Sequence, residues 1–242
     1  MTDKVLLTKV DNIGIVTLNS PPVNALSQEI RQGLLDAFSK TESDDSLKVI
    51  ILMGADRTFS AGADISEFGK SSLEPVLPMV CQTIESTSKP VIAAITGVAL
   101  GGGFELAMAS HYRIATNSTK VGLPEVHLGL IPGAGGTQRL PRIVGPKLSL
   151  EMITSGKPIK AKKALAEGLI DQVIEDTASL KEEAIAFAHT LIKENQGPRR
   201  SSERKEHIEK QGDDKEIFIE FKNSLQKTAR GLYSPFKAVD AI

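Results

Sequence analysis

Glu105 and Glu125, twenty residues apart, each stand among glycines and apolar side chains where a carboxylate is out of place. Glu105 closes the run Val98-Ala99-Leu100-Gly101-Gly102-Gly103-Phe104-Glu105. Glu125 follows Val121-Gly122-Leu123-Pro124, shortly before Gly133-Ala134-Gly135-Gly136. Carboxylates in apolar surroundings are paired, hydrogen-bonded or neutralised. Burial beside a second carboxylate raises the pKa into the range useful for moving protons near neutral pH. The plainer alternative is two helix-end carboxylates that cap or meet solvent. The surrounding glycines favour chemistry, because glycine lets a ligand approach the backbone closely.

Other chemistries fit poorly. Gly133-Ala134-Gly135 lacks the third glycine of a dinucleotide fingerprint, and no Gly-Lys-Ser/Thr ending of a phosphate loop occurs. Thr58-Phe59-Ser60-Ala61-Gly62 misses the first glycine of a nucleophile elbow, so Ser60 reads as a loop hydroxyl. The four histidines, His111, His127, His189 and His207, are scattered without His-Glu-x-x-His spacing, and no metal site is expected. His127, two residues beyond Glu125, is either a partner of that carboxylate or merely structural.

Three stretches in order carry a family resemblance: Phe59-Ser60-Ala61-Gly62-Ala63-Asp64-Ile65, then Gly101-Gly102-Gly103-Phe104-Glu105-Leu106-Ala107, then Leu123-Pro124-Glu125 through Pro132-Gly133. Together they resemble the enoyl-CoA hydratase/isomerase (crotonase) family, over about Val5 to Ile174. Pro21-Pro22-Val23-Asn24-Ala25, His111-Tyr112-Arg113-Ile114-Ala115 and Leu150-Glu151-Met152-Ile153-Thr154-Ser155-Gly156 are similar to the hydratase half of its bifunctional hydratase/3-hydroxyacyl-CoA dehydrogenase branch.

The resemblance implies an acyl-CoA thioester substrate and hydration of a trans-2-enoyl-CoA to the 3-hydroxyacyl-CoA in fatty-acid β-oxidation. Negative charge builds on the thioester oxygen in such chemistry, and two backbone N–H groups in a water-poor pocket stabilise it by roughly 3 kcal/mol each. By resemblance those donors are the N–H groups of Ala63 and Gly102. Glu105 is the base toward the attacking water, and Glu125 delivers a proton to Cα. Ala61, Ala63 and Ile65 contact coenzyme A, and the pantetheine passes Val23–Leu26. Coenzyme A is part of the substrate, so no separate cofactor is required. Ser66 stands where many hydratases of the family carry a lysine, which leaves Lys70 or a basic residue nearer the C-terminus to meet the phosphates. Two rivals remain: a Δ3,Δ2-enoyl-CoA isomerase, which strictly needs only Glu125, and a non-enzymatic crotonase-fold binding protein. Retention of both glutamates favours the hydratase.

These groups must be held by an α/β scaffold. Val5–Val10 and Ile13–Asn19 are β-branched runs joined at Asp11-Asn12, a hairpin signal. Ser27 stands at the cap position of a helix whose Ile30, Leu34 and Phe38 recur on one face. Lys48–Met53 and Val91–Ile95 are continuous apolar runs, as in strands buried on both faces. Glu67–Ser88 reads as loop plus helix. Beyond Gly101 the pattern predicts a helix through Glu105–Ala109, a strand at His111–Ala115, and helices near Thr137–Arg142, Pro146–Thr154 and Ala161–Glu167. Gly168 stops the last of these before a strand at Ile170–Ile174. Strand–helix alternation gives the α/β class. The spiral of repeated ββα units comes from the resemblance, since no sequence repeat of fixed period is visible.

We divide the chain into a crotonase spiral core over 1–195 and a linker with a C-terminal helical region over 196–242. Gln196–Gln211 is rich in arginine and lysine and reads as a solvated linker, with phosphate binding by its arginines as the alternative. Ile217, Phe218, Phe221 and Leu225 then recur at helical spacing. The ending Ser234–Ile242 is amphipathic and lacks the family's usual terminal helix. The expectation is therefore a truncated chain, followed in the full-length protein by an NAD-binding dehydrogenase domain, with self-association into a homo-oligomer through uncovered apolar surface.

Composition agrees with this reading. The 242 residues are 40% hydrophobic and 24% charged, ordinary for a globular protein. A net charge of −1 provides no footprint for nucleic acid. The single cysteine, Cys81, excludes an internal disulfide. No apolar stretch reaches the ~18 residues of a membrane span, and no targeting leader is visible. The expected compartment is the cytoplasm in a bacterium and the peroxisome in a eukaryote.

Overall fold

The structure, a computed structural model, describes residues 3–71, 73–175, 177–211 and 215–242. β1 (Val5–Val10) and β2 (Ile13–Leu18) form the expected antiparallel hairpin, with Asp11 at φ 50° in its turn. α1 (Gln28–Ser43) buries Ile30, Leu34 and Phe38 against the sheet. Ser27 occupies its N-cap, but the hydroxyl makes no capping bond; the Gln28 N–H is met by Glu67 Oε1 at 2.8 Å instead. β3 (Val49–Gly54), α2 (Leu77–Ser86) and β4 (Val91–Ile95) follow.

From here each unit repeats one plan. β4 and β5 (Val98–Leu100) lead into α3 (Gly102–Ala109). β6 (Tyr112–Thr116) and β7 (Lys120–Gly122) lead through a 3₁₀ turn, Pro124–Leu128, to α4 (Gly136–Val144). The first strand of each unit joins a large sheet and the second a small one. α5 (Pro146–Ser155), β8 (Ile159–Lys160), α6 (Ala161–Ala166), β9 (Gln172–Ile174) and α7 (Leu180–Lys193) complete the core. Among the described residues, three helices follow: α8 (Glu206–Gln211), α9 (Lys215–Thr228) and α10 (Ser234–Ala241).

The large sheet has the order β1-β2-β3-β4-β6-β9, parallel except for the first pair. Alternate residues of its strands enter opposite cores. Ile50 and Leu52 pack with α1, α2 and α3, while Val49 and Ile51 pack with Leu180, Ala184, Ala188 and Leu191 of α7. Both faces being covered, the strands read as unbroken apolar runs. A buried Leu or Ile contributes roughly 1.5–3 kcal/mol, so this doubly covered sheet is the rigid frame behind the site.

The small sheet, β5-β7-β8, was not visible in the sequence because its strands hold only two or three residues. β5 and β7 run parallel with Leu100 opposite Gly122, and the Gly101 N–H donates to Gly122 O at 2.9 Å. This pairing sets the start of α3 beside the Pro124–Leu128 turn, so two glutamates twenty residues apart are neighbours.

The stretch read as a solvated linker is fastened to the core along 197–203. Tyr112 donates to Gly197 O, Arg199 pairs with Asp171 and lies over the Tyr112 ring, and Arg200 donates to Glu85 O. Those arginines already hold protein groups. α9 presents Ile217, Phe218, Phe221 and Leu225 to Leu150 of α5 and Val239 of α10. No helix among the described residues is long and apolar enough to cross a membrane.

Candidate active site

The loop Ala61-Gly62-Ala63 is held from two sides. Leu26 bridges Ala63, with its N–H on Gly62 O at 2.9 Å, and Ser60 bridges Ala99 of β5. The Ser60 hydroxyl donates to Asn24 O at 2.8 Å and accepts from the Gly62 N–H, as expected of a loop hydroxyl. Val23 O accepts the Ala61 N–H at 2.9 Å, so the Val23–Leu26 segment lies alongside the loop. A hydrogen bond between Gln28 and Glu67 and the ion pair of Arg31 with Glu67 fix its far end.

This loop meets the start of α3. Gly102 is the first residue of the helix, so its N–H precedes the intrahelical ladder. An ideal Cβ on Gly102 would lie 2.6 Å from Leu77 Cδ2 and 3.4 Å from the Ala63 nitrogen. A side chain there would push Leu77 aside and crowd the Ala63 nitrogen, so glycine keeps the two backbone nitrogens close together. Among the described residues the Ala63 N–H makes no hydrogen bond.

Ala63 and Gly102 both line a cavity of about 510 Å³. Glu105 and Glu125 line it with Ala61, Ala63 and Ile65, and Leu77, Leu130 and Ile131 supply apolar wall. The structure therefore brings Ala61, Ala63, Ile65, Gly102, Glu105 and Glu125 around one cavity. Ala61 and Ala63 are exposed at the mouth, and Ile65 is 72% exposed. A shallower groove lined by Ala63, Asp64, Phe68, Lys70 and Leu130 adjoins it, placing Lys70 within reach of whatever leaves the mouth. His127 lies apart: it is exposed and its Nε2 bonds Ser155 O at 2.9 Å.

The carboxyl groups have different surroundings. Glu105 is buried, and its Oε1 accepts N–H groups from Ala134 at 2.7 Å and Gly136 at 2.8 Å, where α4 begins. Burial pushes its pKa upward, while those two donors and the Arg139 charge pull it back in part. Glu125 Oε2 is buried without a hydrogen-bond partner among the described residues. Burial, with the Glu105 charge second, raises the Glu125 carboxyl from 4.5 to about 8. One carboxyl is thus met by two backbone donors, while the other has no partner among the described residues and a pKa of about 8, contrasting environments of the kind that separate acid and base roles. From the sequence, the helix start at Gly135-Gly136-Thr137 reads as architectural, with a favourable dipole from its amides as the alternative; the structure aims the Ala134 and Gly136 amides at Glu105 itself.

The family model for enoyl-CoA hydratase/isomerase matches residues 8–229. The chain belongs to this family. Its relatives include the peroxisomal bifunctional enzyme of Danio rerio, 41% identical over 96% of this chain and 32% of the relative. A probable enoyl-CoA hydratase of Bacillus subtilis is 48% identical over 73% of this chain and 71% of its own length. The chain spans about a third of the length of the first of these. Among solved structures, the enoyl-CoA hydratase of Bacillus anthracis aligns with a TM-score of 0.74 at 35% identity, covering 78% of this chain and 77% of that one. Pseudomonas aeruginosa DspI aligns at 0.75 and 27% identity over 99% of this chain and 94% of its own. The fold is crotonase-like, and the ββα repetition described above is its spiral.

Proposed function

We propose that this chain is an enoyl-CoA hydratase that converts a trans-2-enoyl-CoA to the 3-hydroxyacyl-CoA in fatty-acid β-oxidation. One observation carries the reading: two carboxyl groups in contrasting surroundings share a cavity with Ala63 and Gly102, whose backbone nitrogens lie close together. The thioester oxygen takes the two N–H groups, which stabilise the negative charge that develops there. A water held between the carboxyls loses a proton to Glu105 as its oxygen bonds to Cβ. The π electrons move toward Cα, which takes the Glu125 proton. Water is thereby added across one face, leaving Glu105 protonated and Glu125 ionised until a proton returns.

Ala61, Ala63 and Ile65 contact the coenzyme A portion, and Lys70 meets its phosphates in place of the lysine that Ser66 lacks. Coenzyme A belongs to the substrate, and the steps written here use only the chain's own carboxyls and amides. Δ3,Δ2-isomerisation is a second activity of the same site, because Glu125 can move a proton at Cα unaided; the family's description names both reactions. In this reading the full-length chain carries a downstream NAD-binding dehydrogenase domain that consumes the product; the chain spans about a third of its bifunctional and multifunctional relatives. A eukaryotic source would place the chain in the peroxisome, as the names of several relatives do for those proteins.

The test is the loss of enoyl absorbance when the protein meets crotonyl-CoA and a longer trans-2-enoyl-CoA. No hydration of either by folded protein rejects the reading.

A further inference from the structure

Arg139 lies outside the cavity yet touches the turn that holds Glu105. Its Nη1 donates to Ala134 O at 2.8 Å, while Nε and Nη2 donate to Glu85 Oε2 at 3.0 and 2.7 Å. An ideal Cβ on Gly135 would lie 2.2 Å from Nη1, and Gly135 has φ +102°, so glycine is what admits the guanidinium to this turn. The same turn sends the Ala134 and Gly136 N–H groups to Glu105 Oε1.

Glu85 is itself held from the far side. Its Oε1 accepts the Ser201 hydroxyl at 2.7 Å and the Ser202 N–H at 2.8 Å. Burial pushes the Glu85 carboxyl up, but the Ser201 hydroxyl, the Arg139 charge and the Ser202 N–H outweigh it and leave the pKa low. A buried ion pair gives weak support to stability as such, and its better use is to fix geometry. Here the geometry fixed is a catalytic carboxylate's pair of donors.

We propose that Arg139 is the positioning residue of Glu105, and that Glu85 with Ser201 and Ser202 anchors it from the C-terminal region. Arg139 sets the Ala134-Gly135-Gly136 turn so that both amides face one carboxylate oxygen, which favours the ionised form of Glu105 and holds its side chain at the cavity. The other titratable groups around Glu105 are Glu125 from the 3₁₀ turn and the Cys81 thiol of α2, which burial and the Glu105 charge push up to about 12. Among the described residues the hydrogen bonds to the Glu105 carboxylate come from the two amides, not from either of these groups. The site's base is thereby tied to a segment 65 residues or more beyond the turn that holds it, counted from Gly136 to Ser201. This rests on the hydratase reading for its kinetic consequence but not for its structural one.

The experiment compares the full chain with Arg139→Lys, Ser201→Ala and Glu85→Gln by two readouts. One is crotonyl-CoA hydration against pH. The other is a ¹³C NMR titration of the Glu105 carboxyl in glutamate-labelled protein, assigned by its loss in Glu105→Gln. Lysine keeps the charge but cannot span Glu85 and Ala134 together. We expect Arg139→Lys to raise the Glu105 midpoint and to lower kcat by up to ~10²-fold with KM little changed, as for a misplaced catalytic group. Ser201→Ala shifts both in the same direction by less. Glu85→Gln retains an acceptor for Arg139 and stays nearer the parent than Glu85→Ala. A Glu105 midpoint and kcat equal to the parent's in folded Arg139→Lys overturn the proposal, whatever the change in Tm. If Arg139→Lys does not fold, an unmoved Glu105 midpoint in Ser201→Ala overturns it. A parent that hydrates nothing rejects the hydratase reading alone, because the titration still decides the positioning role.

Discussion

Glu67 and Arg31 tie the Ala61–Ile65 loop to the first turn of α1: Glu67 Oε2 takes the Arg31 guanidinium at 2.8 Å, while its Oε1 caps the helix at Gln28. Arg31 is buried and also donates to the carbonyls of Leu26, Leu73 and Pro75. One side chain thus serves as helix cap, ion-pair partner and loop brace.

Glu67→Ala removes all three roles at a residue that lines the adjoining groove but not the main cavity. Loss of charged hydrogen bonds costs about 1.5–3 kcal/mol each where burial is substantial, and less here because Glu67 is half-exposed. The expected result is a lower urea midpoint and a raised KM for crotonyl-CoA with kcat largely kept. An unchanged KM would show that the loop keeps its place without the brace.

The two carboxyls divide the work. Glu125→Gln abolishes hydration and isomerisation alike, since both move a proton at Cα. Glu105→Gln impairs hydration far more than isomerisation, by about 10²–10⁴-fold for a general base. Equal losses of both reactions in both folded variants would refute this division.

Replacing Gly102 by proline deletes one proposed oxyanion donor. Because any Cβ there meets Leu77 Cδ2 at 2.6 Å, the substitution belongs in a Leu77→Ala background. Against that single variant, kcat falls roughly 10²–10³-fold. A folded double variant as active as Leu77→Ala rejects the donor assignment.

Stability should carry the mark of Glu125. Its folded pKa of about 8 lies above the ordinary 4.5, so the native state holds a proton that the unfolded chain releases. Stability is therefore highest below pH 4.5 with respect to this group, and falls as pH rises from about 4.5 through about 8. Glu125→Gln should flatten that slope in a Tm-against-pH series, and hydration by the parent should decline above pH 8 as the acid ionises. Parallel slopes for parent and variant would contradict the raised pKa.

Local signals in the sequence reported local structure well. The Asp11-Asn12 hairpin, the unbroken apolar run in Val49–Gly54 and the Gly168 stop all lie where expected. β5 and β7 escaped notice because three residues carry no readable period, yet their pairing is what joins the two glutamates. α7 had a legible pattern in Leu180, Ala184, Ala188 and Leu191 that the sequence reading passed over. The Ser27 cap failed because a residue 40 positions away in sequence, Glu67, supplies a charged acceptor to the same helix end. Glu105 and Glu125 announced themselves by being out of place. The partners of Glu105, and the engagements of Arg199 and Arg200, depend on tertiary approach that no window of sequence contains.

Glu85 receives its Ser201 and Ser202 partners from 116 and 117 residues further along the chain. On a ribosome adding ~5–20 residues per second, every strand of the large sheet has been made before those serines exist. A released chain truncated just short of Ser201 would therefore carry every strand of the large sheet, with Glu85 still lacking its two serine partners. Protease nicking near the Gly133–Gly136 turn should persist in such truncated chains and cease in chains extended beyond Ser202.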